Sequence, residues 1–400
     1  MRVASSAGVH LTYCTNVHPG ESWRQVFANM QRFLPEVKAR VSPDAPFGVG
    51  LRLSAQAARE LAQPGRLEDL QAFLNRHGLY VFTINGFPYG AFHNVRVKEQ
   101  VYLPDWRDRT RLAYTNLLAD LLAALLPADR SLSGSISTVP LAFAKGTISE
   151  GDVARIVEML VRHTAHLVEI RERTGHTIAL ALEPEPGCVL ETIADVVEFF
   201  GRHLFAEPAV TRLGEMTGLE RDGARAALCR HLGVCLDLCH AAVEFENVAD
   251  AVERLRTAGI AIAKLQISAG LRMQDVTAAS QATLRAFDDG VYLHQVVERK
   301  AEELRRYIDL EPAFAAFGDD AGREWRVHFH VPVFLAELGE FGTTQQFLLD
   351  ALALHRERPI SQHLEVETYT WDVLPAEHRT GDMAASISRE LEWVLWQLAA

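Results

Sequence analysis

Short β-prone runs alternate with long helical patterns along most of this 400-residue chain. That alternation limits the possible folds more than any other feature of the sequence. The runs lie at 9–16, 47–53, 79–87, 132–139, 178–183, 233–238 and 261–268, with two more at 325–331 and 363–369. Helical patterns fill 22–40, 106–126, 150–174, 191–204 and 247–258, and another starts at Ser54, breaks at Pro64-Gly65 and resumes to Gly78. Within 22–40, Trp23, Val26, Phe27, Met30, Phe33, Leu34 and Val37 keep the i, i+3, i+4 spacing of one apolar helix face. Strand–helix–strand units give parallel strands with right-handed crossovers, so a long series winds an open sheet or closes into a barrel. About 250 residues make a usual (β/α)8 barrel. The chain therefore predicts one α/β barrel domain over 1–400, with insertions near 88–105, 206–231 and 270–324 that enlarge its C-terminal mouth. The last insertion holds a charged pattern at 293–308 that reads as a long helix. Nine β-prone runs compete for eight barrel places. The expectation is that 325–331 lies beside the mouth, with the weak run at 132–139 as the other candidate for exclusion.

Side chains alternate along a strand, and the outer face of a barrel strand must be apolar where helices cover it. On 178–185, Ala181, Glu183 and Glu185 share a face opposite Leu180 and Leu182. Cys235, Asp237 and Cys239 oppose Leu236 and Leu238. Lys264, Gln266 and Ser268 oppose Leu265 and Ile267, while His363, Glu365 and Glu367 oppose Leu364 and Val366. Four strand ends thus send Glu183, Asp237, Gln266 and Glu365 towards one mouth. A lone Glu at a strand end is ordinarily a solvated charge. Three carboxylates converging in a partly dry cavity repel unless a cation joins them. An oxygen-rich set of this kind suits one Mn²⁺ or Mg²⁺ and tolerates Co²⁺ or Zn²⁺. Lys264, one layer below Gln266, is placed to neutralise a carboxylate from underneath. His328 and His330, together with Glu185, Glu367, Lys264 and Asn85, read as substrate contacts or ligands to a second metal. His163 and His166 fall mid-helix and read as surface residues, and Cys14 and Cys239 as small mouth-lining ones. Phe87, Tyr89 and Phe92, set among Gly86, Pro88 and Gly90, read as a loop over the mouth.

Composition removes other classes. With 40 basic and 52 acidic residues the net charge is −12, which argues against a duplex nucleic-acid partner. No run approaches the roughly 18 apolar residues of a membrane span, and 1–16 lacks an export signal. An odd count of five cysteines in such a chain reads as reduced thiols in the cytoplasm. The expected partner is a small molecule, with other proteins of the same pathway as further candidates. The sequence leaves the oligomeric state open.

The runs LEPEPG (182–187), CLDLCH (235–240), KLQIS (264–268) and LEVE (364–367) resemble the metal-binding strand ends of the xylose isomerase-like barrels. That superfamily holds sugar isomerases and epimerases. The resemblance implies Glu183, Asp237, Gln266 and Glu365 as ligands to one divalent metal and His240 as a substrate contact. The runs at 11–23, 85–93, 101–106, 327–334 and 364–375 further resemble the EboE family of metabolite traffic proteins. Together these imply an isomerase or epimerase in a secondary-metabolite pathway. Glu183 and Glu365 would move a proton next to a carbonyl through a metal-stabilised enediolate, with His240 assisting. Two alternatives stand beside it: a metal-dependent hydrolase or lyase like endonuclease IV, and a non-catalytic metabolite carrier.

Overall fold

The repeating unit is an apolar strand, a turn and a helix capped by a short polar side chain. Ser22, Ser54, Asp108, Ser149, Thr192 and Asn247 each accept a hydrogen bond from a backbone N–H in the first turn of their helix. Such caps satisfy donors that a helix cannot pair internally. The computed structural model describes residues 1–400 except 5–7, 94–95, 144–147, 289, 319–321, 372–373 and 375–380. The end of the 364–375 run therefore lies partly outside the described residues, as do short stretches of the 88–105 and 270–324 insertions.

Seven strands come first: β1 (His10–Tyr13), β2 (Phe47–Arg52), β3 (Leu79–Asn85), β4 (Gly134–Thr138), β5 (Ile178–Leu182), β6 (Leu232–Asp237) and β7 (Ala261–Ile267). Six shorter or inserted strands follow: β8 (Ala269–Met273), β9 (Val296–Lys300), β10 (Glu303–Tyr307), β11 (Arg323–Val331), β12 (Glu337–Leu338) and β13 (Phe341–Thr343). The last is β14 (His363–Val366). Strands β1 to β7 and β14 form one parallel sheet of eight in the order β1-β14-β7-β6-β5-β4-β3-β2. A parallel bridge from Cys14 to Gly50 joins its two edges. The sheet is thus a closed (β/α)8 barrel, and the weak run at 132–139 is a genuine barrel strand. Gly50 is where the closure is tightest, since a Cβ there would collide with the Glu365 carboxylate and the Tyr13 carbonyl.

Strands β8 to β13 make a separate antiparallel sheet, ordered β10-β9-β11-β8-β13-β12. The 325–331 run lies in β11, outside the barrel, as expected. The charged pattern at 293–308 is not a helix. It forms the hairpin β9–β10, turning at Ala301 with φ 51°. Its buried Val296 and Val297 pair against β11, and buried Glu298 accepts from Arg323 Nη1 at 2.9 Å and Trp325 Nε1 at 2.8 Å. Those cross-strand partners override the helix-like spacing of its charges. The 206–231 segment forms helices Glu207–Thr217 and Arg221–His231. They follow a crossover helix instead of a strand end, so they lie on the barrel flank, where Arg212 pairs with Glu158 of helix Glu150–Thr174 at 3.0 Å. His163 of that helix is buried rather than on the surface, with Nδ1 2.6 Å from Asn116 Oδ1. His166 is half-buried beside Asp120. Among the described residues no helix is long and apolar enough to cross a membrane.

The 88–105 segment covers the mouth, and the fully buried Arg111 fastens it. Arg111 Nε donates to the Pro104 carbonyl at 2.7 Å, and Nη1 donates to the carbonyls of Gly86 and Phe87 at 2.8 and 3.1 Å. Hydrogen bonds from a charged donor contribute about 1.5–3 kcal/mol each. Arg111→Met is therefore expected to loosen this segment. Limited proteolysis should show new cleavage within 88–105; an unchanged digestion pattern would rule out this anchoring role.

Candidate functional site

The barrel interior is layered. In the lower layer Lys264 of β7 pairs with Glu365 of β14, and both side chains are fully buried. Lys264 Nζ also donates to Ser137 Oγ at 3.3 Å. Burial opposes the charged form of Lys264, and the Glu365 carboxylate outweighs it and raises its proton affinity. The carboxylate that Lys264 meets is Glu365. Among the described residues Glu365 is in none of the groups whose ligand-type atoms lie within 4.8 Å of one another.

Glu367, two residues further on, is in one of them. Glu183, Asp237 and Glu367 offer carboxylate oxygens that all lie within 4.8 Å of one another. Each is placed by its surroundings. Glu183 follows directly on β5, with its backbone N–H bonded to the Thr138 carbonyl at 3.1 Å. Asp237 ends β6 and caps the next helix, accepting from the His240 N–H at 3.0 Å and Ser268 Oγ at 2.7 Å. Glu367 Oε1 accepts from Asn16 Nδ2 at 2.6 Å and Asn85 Nδ2 at 3.0 Å. Gln266 bridges the group, its Nε2 donating to Glu183 Oε1 at 3.2 Å and to Glu367 Oε2. The three carboxylates are at most 5% exposed, and Glu183 Oε2 and Asp237 Oδ2 are buried with no hydrogen-bond partner. Burial, then the Glu367 and Asp237 charges, pushes the Glu183 carboxyl well above the usual range. Burial likewise raises Glu367. Buried, mutually repelling carboxylates with orphaned oxygens are the environment a divalent cation resolves, so these residues fit one.

Above this group lie Glu185, His240, His328 and His330. Tyr102 donates to Glu185 Oε1 at 2.8 Å, and Gln295 Nε2 donates to the Tyr102 hydroxyl at 3.0 Å. Burial raises Glu185, against the pull of His240. His240 is also raised: burial opposes its charged form, but the Asp237 and Glu185 carboxylates outweigh it. Aromatic contacts among Phe92, Tyr292 and Tyr369, with ring centroids 5.1–5.3 Å apart, wall the entrance. Phe87 and Phe92 line the pocket, which encloses about 540 Å³, part of it open to solvent.

Asn16, Tyr102 and Gln295 were not singled out from sequence. Asn16 was within reach of the alternation rule, since His10, Thr12, Cys14 and Asn16 occupy every second position of the first run. Tyr102 and Gln295 come from insertions, where no strand periodicity marks them.

No protein-family profile matches the chain, and no curated protein matches it. The resemblance to the EboE family therefore rests on the sequence runs alone. Solved structures do match. A xylose isomerase-like TIM barrel protein from Mycobacterium smegmatis, in complex with magnesium, is 12% identical with a TM-score of 0.51, covering 100% of this chain and 98% of that one. The IOLI protein with a bound zinc atom is 13% identical with a TM-score of 0.47, covering 98% of each chain. The probable 3-DHS dehydratase AsbF from Bacillus anthracis, involved in petrobactin synthesis, is 13% identical with a TM-score of 0.45, covering 96% of this chain and 98% of that one. The fold is that of the xylose isomerase-like TIM barrels.

Proposed function

We propose that the chain is a divalent-cation-dependent isomerase or epimerase. Its substrate would be a small sugar-, cyclitol- or hydroxycarbonyl-type metabolite, and its reaction a proton transfer next to a carbonyl. One observation carries this reading. Glu183 and Glu367 arrive from strands far apart in sequence and meet beside Asp237 at the pocket floor. Glu183, Asp237 and Glu367, with Gln266 touching two of them, are the residues that would hold the cation. A bound Mn²⁺ or Mg²⁺ would supply Lewis-acid polarisation of a substrate carbonyl.

The remaining work falls to the chain itself. A buried carboxylate held beside the reacting carbon is placed to take a proton from it and return it. Glu183 and Glu367 fill these two positions, so Glu367 takes the role that the sequence assigned to Glu365. Asn16 and Asn85 fix the Glu367 carboxylate through Oε1. His240 is anchored by its Nδ1 to the Pro184 carbonyl at 2.9 Å and lines the pocket with its Nε2 beside that of His328. Phe87, Phe92, Tyr292 and Tyr369 border the pocket in which the reacting carbon would lie.

The test is deuterium wash-in. Keto-sugars, hydroxy-acids and cyclitol ketones are incubated with the Mn²⁺-loaded protein in D₂O and followed by NMR. Exchange at the carbon beside the carbonyl, lost on chelation, is the expected result. Chemical conversion of a bound ligand without any carbon-bound exchange would instead favour hydrolysis or elimination.

A further inference from the structure

The three histidines at the mouth share one hydrogen-bonding pattern. His240 Nδ1 lies 2.9 Å from the Pro184 carbonyl oxygen, and His330 Nδ1 lies 2.8 Å from the Glu367 carbonyl oxygen. A carbonyl only accepts, so each of these nitrogens carries the hydrogen. His328 Nδ1 is 2.7 Å from Gln295 Oε1. That amide has a defined orientation, because its nitrogen donates to the Pro186 carbonyl at 3.1 Å. His328 Nδ1 is therefore a donor as well. In their neutral forms all three rings turn an Nε2 lone pair into the cavity.

This has a consequence for His240 and His328, whose Nε2 atoms are only 3.1 Å apart. Two lone pairs facing at that distance repel, so either a shared hydrogen or a metal cation must sit between them. His330 Nε2 and Glu185 Oε2 are buried and have no hydrogen-bond partner, on residues 1% and 5% exposed. Ligand atoms of Glu185, His240 and His328 all lie within 4.8 Å of one another, as do those of Asp237, His240 and His330. A histidine whose Nδ1–H is held by an oxygen while Nε2 stays free is oriented as proteins orient metal ligands.

We infer that the mouth holds a second cation site, formed by His240, His328, His330 and Glu185 above the carboxylate group. It goes beyond the proposed reaction and does not depend on it. Nitrogen donors favour the borderline metals late in the first transition row over Mg²⁺ or Mn²⁺, so the site is one for Zn²⁺ or Co²⁺. Asp237, with Oδ2 unpartnered, lies within reach of both groups. His328 and His330 come from β11, so the inserted sheet would supply half of the ligands.

The experiment adds Zn²⁺ to full-length metal-free protein that has first been saturated with Mn²⁺. Calorimetry counts the equivalents, and X-ray absorption at the zinc edge identifies the ligands. The expected result is one further equivalent of Zn²⁺ with imidazole scattering. The His328→Gln/His330→Gln variant should lose that equivalent and keep the Mn²⁺ resonance signal. Should the variant fail to fold by circular dichroism, the absorption spectrum of the wild type decides alone. An all-oxygen zinc environment overturns the inference, as does the absence of a further equivalent. So does a proton shared between His240 and His328 in ¹⁵N spectra recorded with Zn²⁺ present. If Mn²⁺ binds and Zn²⁺ does not, only this inference falls; if neither binds, the proposed function falls with it.

Discussion

Glu367→Gln is expected to lower turnover by about 10²–10⁴-fold, the usual contribution of a positioned general acid or base. The same substitution should leave the fold intact. Gln is nearly isosteric, and its amide oxygen can still accept from Asn16 and Asn85, which hold Oε1 of the native side chain at 2.6 and 3.0 Å, while the Gln266 amide turns over to accept from the new amide nitrogen. It also removes one of three buried carboxylates that repel one another, so the cation-free protein should melt no lower than the wild type. Glu183→Gln is expected to act in the same way. Thermal melts and wash-in rates on the two variants check this. Unchanged exchange in both would remove Glu183 and Glu367 from the chemistry.

Glu365→Gln is expected to do the reverse. It leaves Lys264 charged and fully buried with no carboxylate partner, and breaking a buried ion pair from one side costs about 3–5 kcal/mol. That is a large share of the ~5–15 kcal/mol that holds a folded domain together. Lys264→Met should cost a similar amount by stranding Glu365. The double variant should lose less than the sum, because each change removes the penalty the other creates. Urea unfolding of all four proteins gives the coupling. If Glu365→Gln abolished cation binding and left stability unchanged, Glu365 would belong with the ligands after all.

These two outcomes concern a place where strand alternation gives the face and leaves the depth open. The rule located Glu183, Asp237, Gln266 and Lys264, because an apolar outer face forces the polar residues inward. On β14 it offered Glu365 and Glu367 equally. Glu365 is in register with Gln266 on the neighbouring strand, yet it pairs with Lys264 one layer down. Barrel strands tilt by about 36°, so register partners sit at different heights along the axis. Which of two alternate residues reaches the mouth therefore depends on the tilt, and one strand's sequence does not encode it. His163 was legible: it lies four residues after Met159 and four before Leu167, both buried on the same helix stripe. The β9–β10 hairpin was not, since its pairing partners lie in β11, more than twenty residues away, and only the assembled sheet makes its charges strand-like. The 3.1 Å approach of His240 and His328 joins a barrel strand end to an inserted sheet, and no spacing in the chain announces it.

The central claim is that Glu183, Asp237 and Glu367 form a carboxylate cation site at the floor of the pocket. Mn²⁺ titration followed by electron paramagnetic resonance tests it most directly, on the wild type and on Glu183→Gln/Asp237→Asn. The expected result is saturable binding of Mn²⁺ by the wild type, lost in a variant that remains folded by circular dichroism. Equal binding by both proteins, or by neither, would contradict the account.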